Sequence, residues 1–207
     1  MIGSIFIYMN LKRLFIVLNF LLCSITGVAQ DYKTSIRQRF TEYTKLITYR
    51  EFDKSMDYVP EEIFTIIPRT QMVALFDQLF NNRKMVVKMI RFDIKEIVDS
   101  RKIDSSYYAK LRYISVMSMK MLVDTIESAE VKDNRLLMTK AAFANAFGSD
   151  NVKLDEATET YIISAAKSSW AISKNGKDGW KFVNVEPQQR LLMEKILPKG
   201  LIEESIN

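Results

Sequence analysis

The stretch 160–185 constrains the fold of this chain most, because it predicts a β-hairpin. Two apolar segments, residues 161–173 and 180–185, flank a turn formed by residues 175–179. The turn contains two glycines, which adopt the positive φ that a tight hairpin loop needs, and Asn and Asp tolerate the same region. Both tryptophans of the chain lie in this stretch. We therefore expect the hairpin to carry much of the core.

Strand alternation assigns the side chains of this hairpin to faces. On the first strand, Trp170 shares a face with two isoleucines and three small residues, namely Ile162, Ile172, Ser164, Ala166 and Ser168. On the second strand, Trp180 and Phe182 share a face.

Length and composition are those of one globular domain. The chain has 207 residues, of which 48% are hydrophobic and 27% are charged. It is too short for two large domains, and it contains no repeat or Pro- or Ser-rich linker. We expect one α+β domain over residues 30–207.

Two absences limit the chemistry of the chain. It contains no histidine, and Cys23 is its only cysteine. Imidazole catalysis and zinc sites built from His or Cys are thereby excluded. A product lacking residue 23 has no thiol nucleophile. An enzyme here would depend on carboxylates, Tyr, Lys or Ser.

Net charge and motifs argue against nucleic acid and against cofactors. The formal charge is +5, and it falls to +3 without Lys12 and Arg13. So small and evenly spread an excess does not favour nucleic acid as a partner. The sequence has no phosphate-binding loop and no spaced Asp-rich calcium loop. We expect no cofactor and no metal.

Residues 1–29 read as a cleaved signal peptide. A basic pair precedes the apolar run 14–22, and a small and polar segment follows it. This order is typical of a secretory signal, and the run is short for a membrane anchor. We place cleavage after Ala29, so the mature protein would be exported, either periplasmic or secreted, with no membrane span. Met9 is an alternative start, because the first eight residues add nothing that a signal needs.

Cys23 supports a second interpretation of the same segment. A lipoprotein signal also ends its apolar run at a cysteine, which is then lipidated. The preceding residue here is Leu22, whereas that signal favours a small residue. If residue 23 is removed, the mature chain has no disulfide, and export places no redox constraint on the fold.

The first half of the mature chain has helical periodicity. Apolar residues spaced by three and four predict a helix from Thr34 that runs on to about Met56, with Ile36, Phe40, Tyr43 and Ile47 on its buried face. A short helical turn follows over 61–67, between two prolines. A further helix is predicted from Thr70 as N-cap to Phe80, stopped by two asparagines.

The second half alternates between strand and helix. Two long strands are predicted, the first with Ile90, Phe92, Ile94 and Val98 on one face, and the second over residues 107–121. An Ala-rich helix is expected over 134–147, ending at Gly148. After the core hairpin, a last helix is predicted over 188–197, followed by a tail.

The order of these elements resembles the nuclear transport factor 2-like, or cystatin-like, superfamily. The resemblance covers most of residues 32–197 and rests on element order, on Trp-x-Ile at 170–172 and on Asp-Gly-Trp-Lys-Phe at 178–182. Residues 57–72 also resemble uncharacterised secreted bacterial proteins of this kind. The resemblance implies N-terminal helices packed on a curved antiparallel sheet of four to six strands, enclosing a cone-shaped cavity. It carries over no catalytic residue, and fold alone does not imply a reaction.

Glu96 is the candidate for an unusual carboxylate. It falls on the apolar side of its predicted strand, where it would face the concave side of the sheet. A carboxylate there must be paired, hydrogen-bonded or protonated, and a raised pKa suits a general acid or base. A β-bulge near Glu96 would instead turn the side chain to water.

A pocket around Glu96 would combine polar groups with apolar walls. Its predicted ligand-binding residues are Glu96, Tyr107, Tyr113, Ser115, Ser164, Ser168 and Trp170. The alternative is that the tyrosines are core residues and that the small residues let a helix pack close to the sheet.

Three classes of function remain open from the sequence. The first is a non-catalytic exported module that binds a small apolar ligand or a partner protein in the concave face. The second is a small isomerase, dehydratase or hydrolase that uses Glu96 and tyrosines in the same cavity. The third is a structural, envelope-associated homodimer. A dry pocket around Glu96 would favour the second class, and a pocket plugged by Trp170, Trp180 and Phe182 would favour the third.

Overall fold

A computed structural model describes residues 32–186, 188 and 190–206 of the chain. The signal-peptide prediction, with Met9 and Cys23, lies outside these residues. The α-helices are α1 (residues 32–48), α2 (Phe52–Ser55), α3 (Glu61–Phe64), α4 (Arg69–Phe80), α5 (Ala129–Phe147), α6 (Arg190–Met193) and α7 (Lys199–Ile206). The strands are β1 (Met85–Ile97), β2 (Arg101–Ile103), β3 (Ser106–Met121), β4 (Val152–Asp155), β5 (Thr160–Ser173) and β6 (Lys181–Asn184). In this part of the chain, no helix combines the length and the hydropathy that a membrane span requires.

Helix α1 buries the predicted apolar face, because Ile36, Phe40, Tyr43 and Ile47 all lie in the main core. It ends earlier than Met56. Arg50 has a φ of 61°, and the Glu51 amide donates to the Leu46 carbonyl across 2.8 Å. This left-handed residue closes the helix with a Schellman motif, so α2 starts as a separate turn.

Two prolines set the starts of the next helices. Pro60 is the N-cap of α3, as the short predicted turn requires, and Pro68 is the N-cap of α4. The prediction that Thr70 caps α4 is wrong, because the helix already begins at Arg69. The predicted stop after Phe80 is confirmed, with Asn81 as the C-cap.

All six strands pair antiparallel in one sheet. The main order is β1-β3-β5-β4, while β2 pairs with β3 and β6 pairs with β5. The predicted hairpin corresponds to β5 and β6, and Gly176 and Gly179 have φ values of 71° and 63° in its turn. The predicted α+β class, with N-terminal helices on an antiparallel sheet, is confirmed.

Strand β1 departs from simple alternation. Its register against β3 shifts between Met89 and Arg91, and again between Ile94 and Glu96. Each bulge changes which side of the strand the following side chains face. The prediction that Ile90 shares a buried face is therefore wrong, since its side chain is exposed.

Helices cover both faces of the sheet. On one face α1 packs against Tyr113 and Phe182 of β3 and β6, with ring centroids 4.9 and 5.1 Å from Phe40. Helix α5 covers the other end of this face and contacts Tyr161 through Phe143. On the opposite face Trp170 packs against α6, α7 and their connection, through Met193, Leu197, Leu201 and Ile202.

The C-terminal part differs from the predicted single helix and tail. The helix over 188–197 is replaced by the short α6, and the predicted tail is the helix α7, which includes Gly200. Pro198 begins this new helix, because its carbonyl accepts from the Leu201 amide. Burial of Leu201 and Ile202 on the sheet explains why these residues are ordered.

Candidate functional site

The residues predicted to line one pocket lie on two faces of the sheet. Ser115 of β3 is opposite Ala165 of β5, and Tyr113 is opposite Lys167. Residues that pair directly share a face. Tyr107, Tyr113 and Ser115 therefore lie on the α1 face, whereas Ser164, Ser168 and Trp170 alternate onto the other.

Glu96 does not face the α1 side. The bulge between Ile94 and Glu96 places it opposite Arg112, and its Oε2 accepts from Arg112 Nη1 across 2.6 Å. About half of each side chain is exposed, at 49% for Glu96 and 55% for Arg112. The inward orientation predicted for Glu96 is wrong, and the alternative of a bulge that turns it to water is confirmed.

Two aromatic side chains of the predicted pocket pack against other parts of the fold. Tyr107 is half-buried beneath the turn, against the backbone of Gly176. Trp170 is 2% exposed, and its indole nitrogen donates to Ser205 Oγ of α7 across 2.8 Å. Neither ring lines an open cavity with Tyr113.

A groove of about 1100 Å³ lies elsewhere, beside the edge strand β6. We call it the α4 groove. One wall comes from α3, α4 and their connection, through Ile63, Ile66, Ile67, Met72, Leu75, Phe76 and Leu79. The other comes from the C-terminal segment, through Gln188, Leu191, Leu192, Met193, Glu194 and Lys195. The floor contains Tyr43, Met56, Val59, Phe182, Val183, Asn184 and Glu186.

The walls of the α4 groove expose large apolar side chains. Leu75 is 52% exposed, Leu79 is 47% exposed and Leu191 is 79% exposed. Helix α4 packs on α2 through Phe76 and Phe80, whose rings lie 5.4 and 5.1 Å from that of Phe52. Leu75 and Leu79 of α4 lie outside this contact and line the groove. The sequence feature that indicates this groove is the apolar stripe on α4, which is wider than the surface that one helix–helix contact buries.

Polar groups meet at and behind the floor of the groove. The Tyr113 hydroxyl donates to Asn184 Oδ1 across 3.2 Å, and Lys167 Nζ lies 2.8 Å from Glu186 Oε1. Tyr43 stacks on Phe182 with ring centroids 5.7 Å apart. Of the predicted site residues, Tyr113 alone belongs to this cluster, behind the groove floor. Tyr43, Asn184, Glu186 and Lys167 are additional.

Burial raises the pKa of both phenols of this cluster, which are protonated at neutral pH. Desolvation raises the pKa of Tyr43 to about 12. It also raises the pKa of Tyr113 above its ordinary range, and the neighbouring Tyr43 and Glu186 add to that rise. A phenol with a raised pKa is a hydrogen-bonding group and a poor base near pH 7. The cluster can therefore orient a polar group by hydrogen bonds.

The described residues contain no group of three or more Asp, Glu, His or Cys arranged to hold a metal ion. Comparison with known proteins finds no family model, no curated protein and no solved structure that matches this chain. The resemblance to the nuclear transport factor 2-like superfamily therefore stays a prediction.

Proposed function

We propose that this chain is an exported, non-catalytic protein that holds an elongated apolar small molecule in the α4 groove. The proposal depends on one observation, a groove of about 1100 Å³ whose walls expose Leu75, Leu79 and Leu191 to solvent. Ligand pockets are typically ~300–1,000 Å³ and mostly apolar with a few polar groups, so the groove is large enough. Export rests on the signal-like segment 1–29 alone.

The proposed place of binding differs from the concave face. That face is filled by α1, because Trp180 and Phe182 are buried and Phe182 packs between Phe40 and Tyr43. The groove lies beside β6, where the edge of the sheet meets α4 and the C-terminal segment. Removing an apolar ligand from water against these leucines would be favourable in proportion to the area buried.

Among the residues that the structure describes, no geometry supports the enzyme alternative. Glu96 lies outside the groove, half-exposed and paired with Arg112. The groove carries Glu186 and Glu194, each with a cation 2.8 Å away, on Lys167 and Arg190 respectively. Charge-paired carboxylates of this kind do not resemble a general base held in an apolar site.

The test is binding of N-phenyl-1-naphthylamine, an uncharged fluorescent probe, to protein produced from the full coding sequence. Leu75→Asp places a charge in the groove wall, so we expect its affinity for the probe to fall by about tenfold or more, since losing one leucine contact costs about 1.5–3 kcal/mol. Leu137→Asp is the matched control, because Leu137 is 65% exposed on α5 and outside the groove.

Equal affinities in the two variants would overturn the proposal. So would a wild-type protein that binds no probe. If the groove is instead filled by a second copy of this chain, sedimentation will show a dimer that Leu75→Asp dissociates.

A further inference from the structure

The Tyr43 hydroxyl has no hydrogen-bond partner among the described residues, although its side chain is buried. The Tyr43 side chain is 7% exposed, and its hydroxyl makes no hydrogen bond to any residue that the structure describes. Within these same residues, every fully enclosed side-chain nitrogen or oxygen has a partner. The Tyr43 hydroxyl therefore touches accessible space, and Tyr43 lines the floor of the α4 groove.

A wholly apolar molecule in the groove would leave this hydroxyl without water and without a hydrogen-bond partner. A buried polar group that loses water and gains no partner costs free energy, whereas one hydrogen bond from the ligand removes that cost. The occupant that fits the groove best is thus polar at one end and apolar along the rest.

The charges at the groove floor select the kind of polar group. Glu186 is the charged residue of the groove floor, and Lys167 neutralises it across 2.8 Å. A carboxylate beside Glu186 would be repelled, and an ammonium would compete with Lys167 for the same oxygen. An uncharged oxygen group would meet neither cost.

From this geometry we infer that the ligand is a long-chain amphiphile with an uncharged oxygen head, such as an alcohol or ester, hydrogen-bonded to Tyr43. The inference rests on the proposed function and adds the chemical class of the ligand. The head lies at the groove floor, between Tyr43 and Asn184, and the chain extends along Leu75 and Leu79.

The test compares three amphiphiles of equal chain length, 1-dodecanol, dodecanoate and dodecylammonium, as competitors of N-phenyl-1-naphthylamine at pH 8. We expect dodecanol to displace the probe at the lowest concentration. Tyr43→Phe removes only the hydroxyl, so the ratio of the dodecanol affinity to the probe affinity should fall about fivefold, which corresponds to one hydrogen bond. Tyr49→Phe, at an exposed tyrosine after α1, should leave this ratio unchanged.

A second variant tests the charge argument. Lys167→Met removes the cation that neutralises Glu186, so the preference should move from dodecanol toward dodecylammonium. If Lys167→Met keeps the wild-type order, the charge argument is wrong.

The outcomes separate this inference from the proposed function. Suppose that probe binding is sensitive to Leu75→Asp, but that dodecanoate is the best competitor or that Tyr43→Phe leaves the affinity ratio unchanged. The inference about the head group is then wrong, and the groove remains the binding site. The absence of any probe binding overturns both.

Discussion

The indole nitrogen of Trp170 donates a hydrogen bond to Ser205 Oγ across 2.8 Å, which ties α7 to the central strand β5. The Ser205 hydroxyl in turn donates to the Leu201 carbonyl within the helix. Around this bond Lys110 donates to the Glu204 carbonyl across 3.1 Å, and Arg101 pairs with the Glu204 carboxylate. The C-terminal helix is therefore part of the core and closes the second face of the sheet.

Ser205→Ala should lower the free energy of unfolding by about 1 kcal/mol, because it leaves a buried indole N–H without its acceptor. Urea unfolding measures the change. Glu203→Ala, at an exposed position of the same helix, should stay within about 0.5 kcal/mol of wild type. Indistinguishable midpoints for the two variants would contradict the role given to Ser205.

The two glycines of the β5–β6 turn form a matched pair. Both have positive φ, but a Cβ on Gly176 would lie 2.7 Å from the Tyr107 ring, whereas a Cβ on Gly179 would meet nothing within 4 Å. Gly179→Ala should cost about 1–2 kcal/mol from backbone strain alone. Gly176→Ala should cost about 1–3 kcal/mol more, because the ring must move. Thermal unfolding of the two variants checks this order, and equal losses would contradict it.

Glu159 should contribute to stability in a pH-dependent way. Hydrogen bonds from Lys132 and Arg135 lower the pKa of Glu159 from 4.5 to about 2. A carboxyl whose folded pKa is depressed stabilises the protein above its unfolded pKa, and the contribution is lost as pH falls through the folded value. This loss should lie between about pH 4.5 and 2.

The check is urea unfolding of wild type and Glu159→Gln at pH 5 and pH 3. The variant cannot lose this contribution, so the fall in its stability between the two pH values should be smaller than that of wild type. Glu156→Gln, at an exposed position of the same turn, should behave like wild type. A Glu159→Gln variant that loses as much as wild type would refute the assignment.

Glu96→Gln should change little, because the Glu96–Arg112 pair is half-exposed. Exposed ion pairs contribute about 0–1 kcal/mol to stability, so the urea midpoint should shift by no more than that. Probe affinity in the α4 groove should also be unchanged, since Glu96 lies outside it. A large loss of stability or of probe affinity would contradict the placement of Glu96 outside the site.

Local sequence pattern determined the elements that depend only on residues close together in the sequence. The buried face of α1, the β5–β6 hairpin with its two glycines and the end of α5 at Gly148 all follow from periodicity and turn chemistry, whereas α5 begins at Ala129, five residues before the predicted start at Asn134. These features depend on φ preferences and on spacing along one strand or helix, and both can be read from the chain directly.

Only the tertiary structure decided which side chains meet. The pairing of Ser115 with Ala165 put Ser164 and Ser168 on the opposite face, because a register shift of one residue reverses every side chain. The bulge before Glu96 likewise arises from pairing with β3. The α4 groove depends on α4 and the C-terminal segment, which are distant in sequence, so periodicity could identify an apolar stripe on α4 but not what faces it.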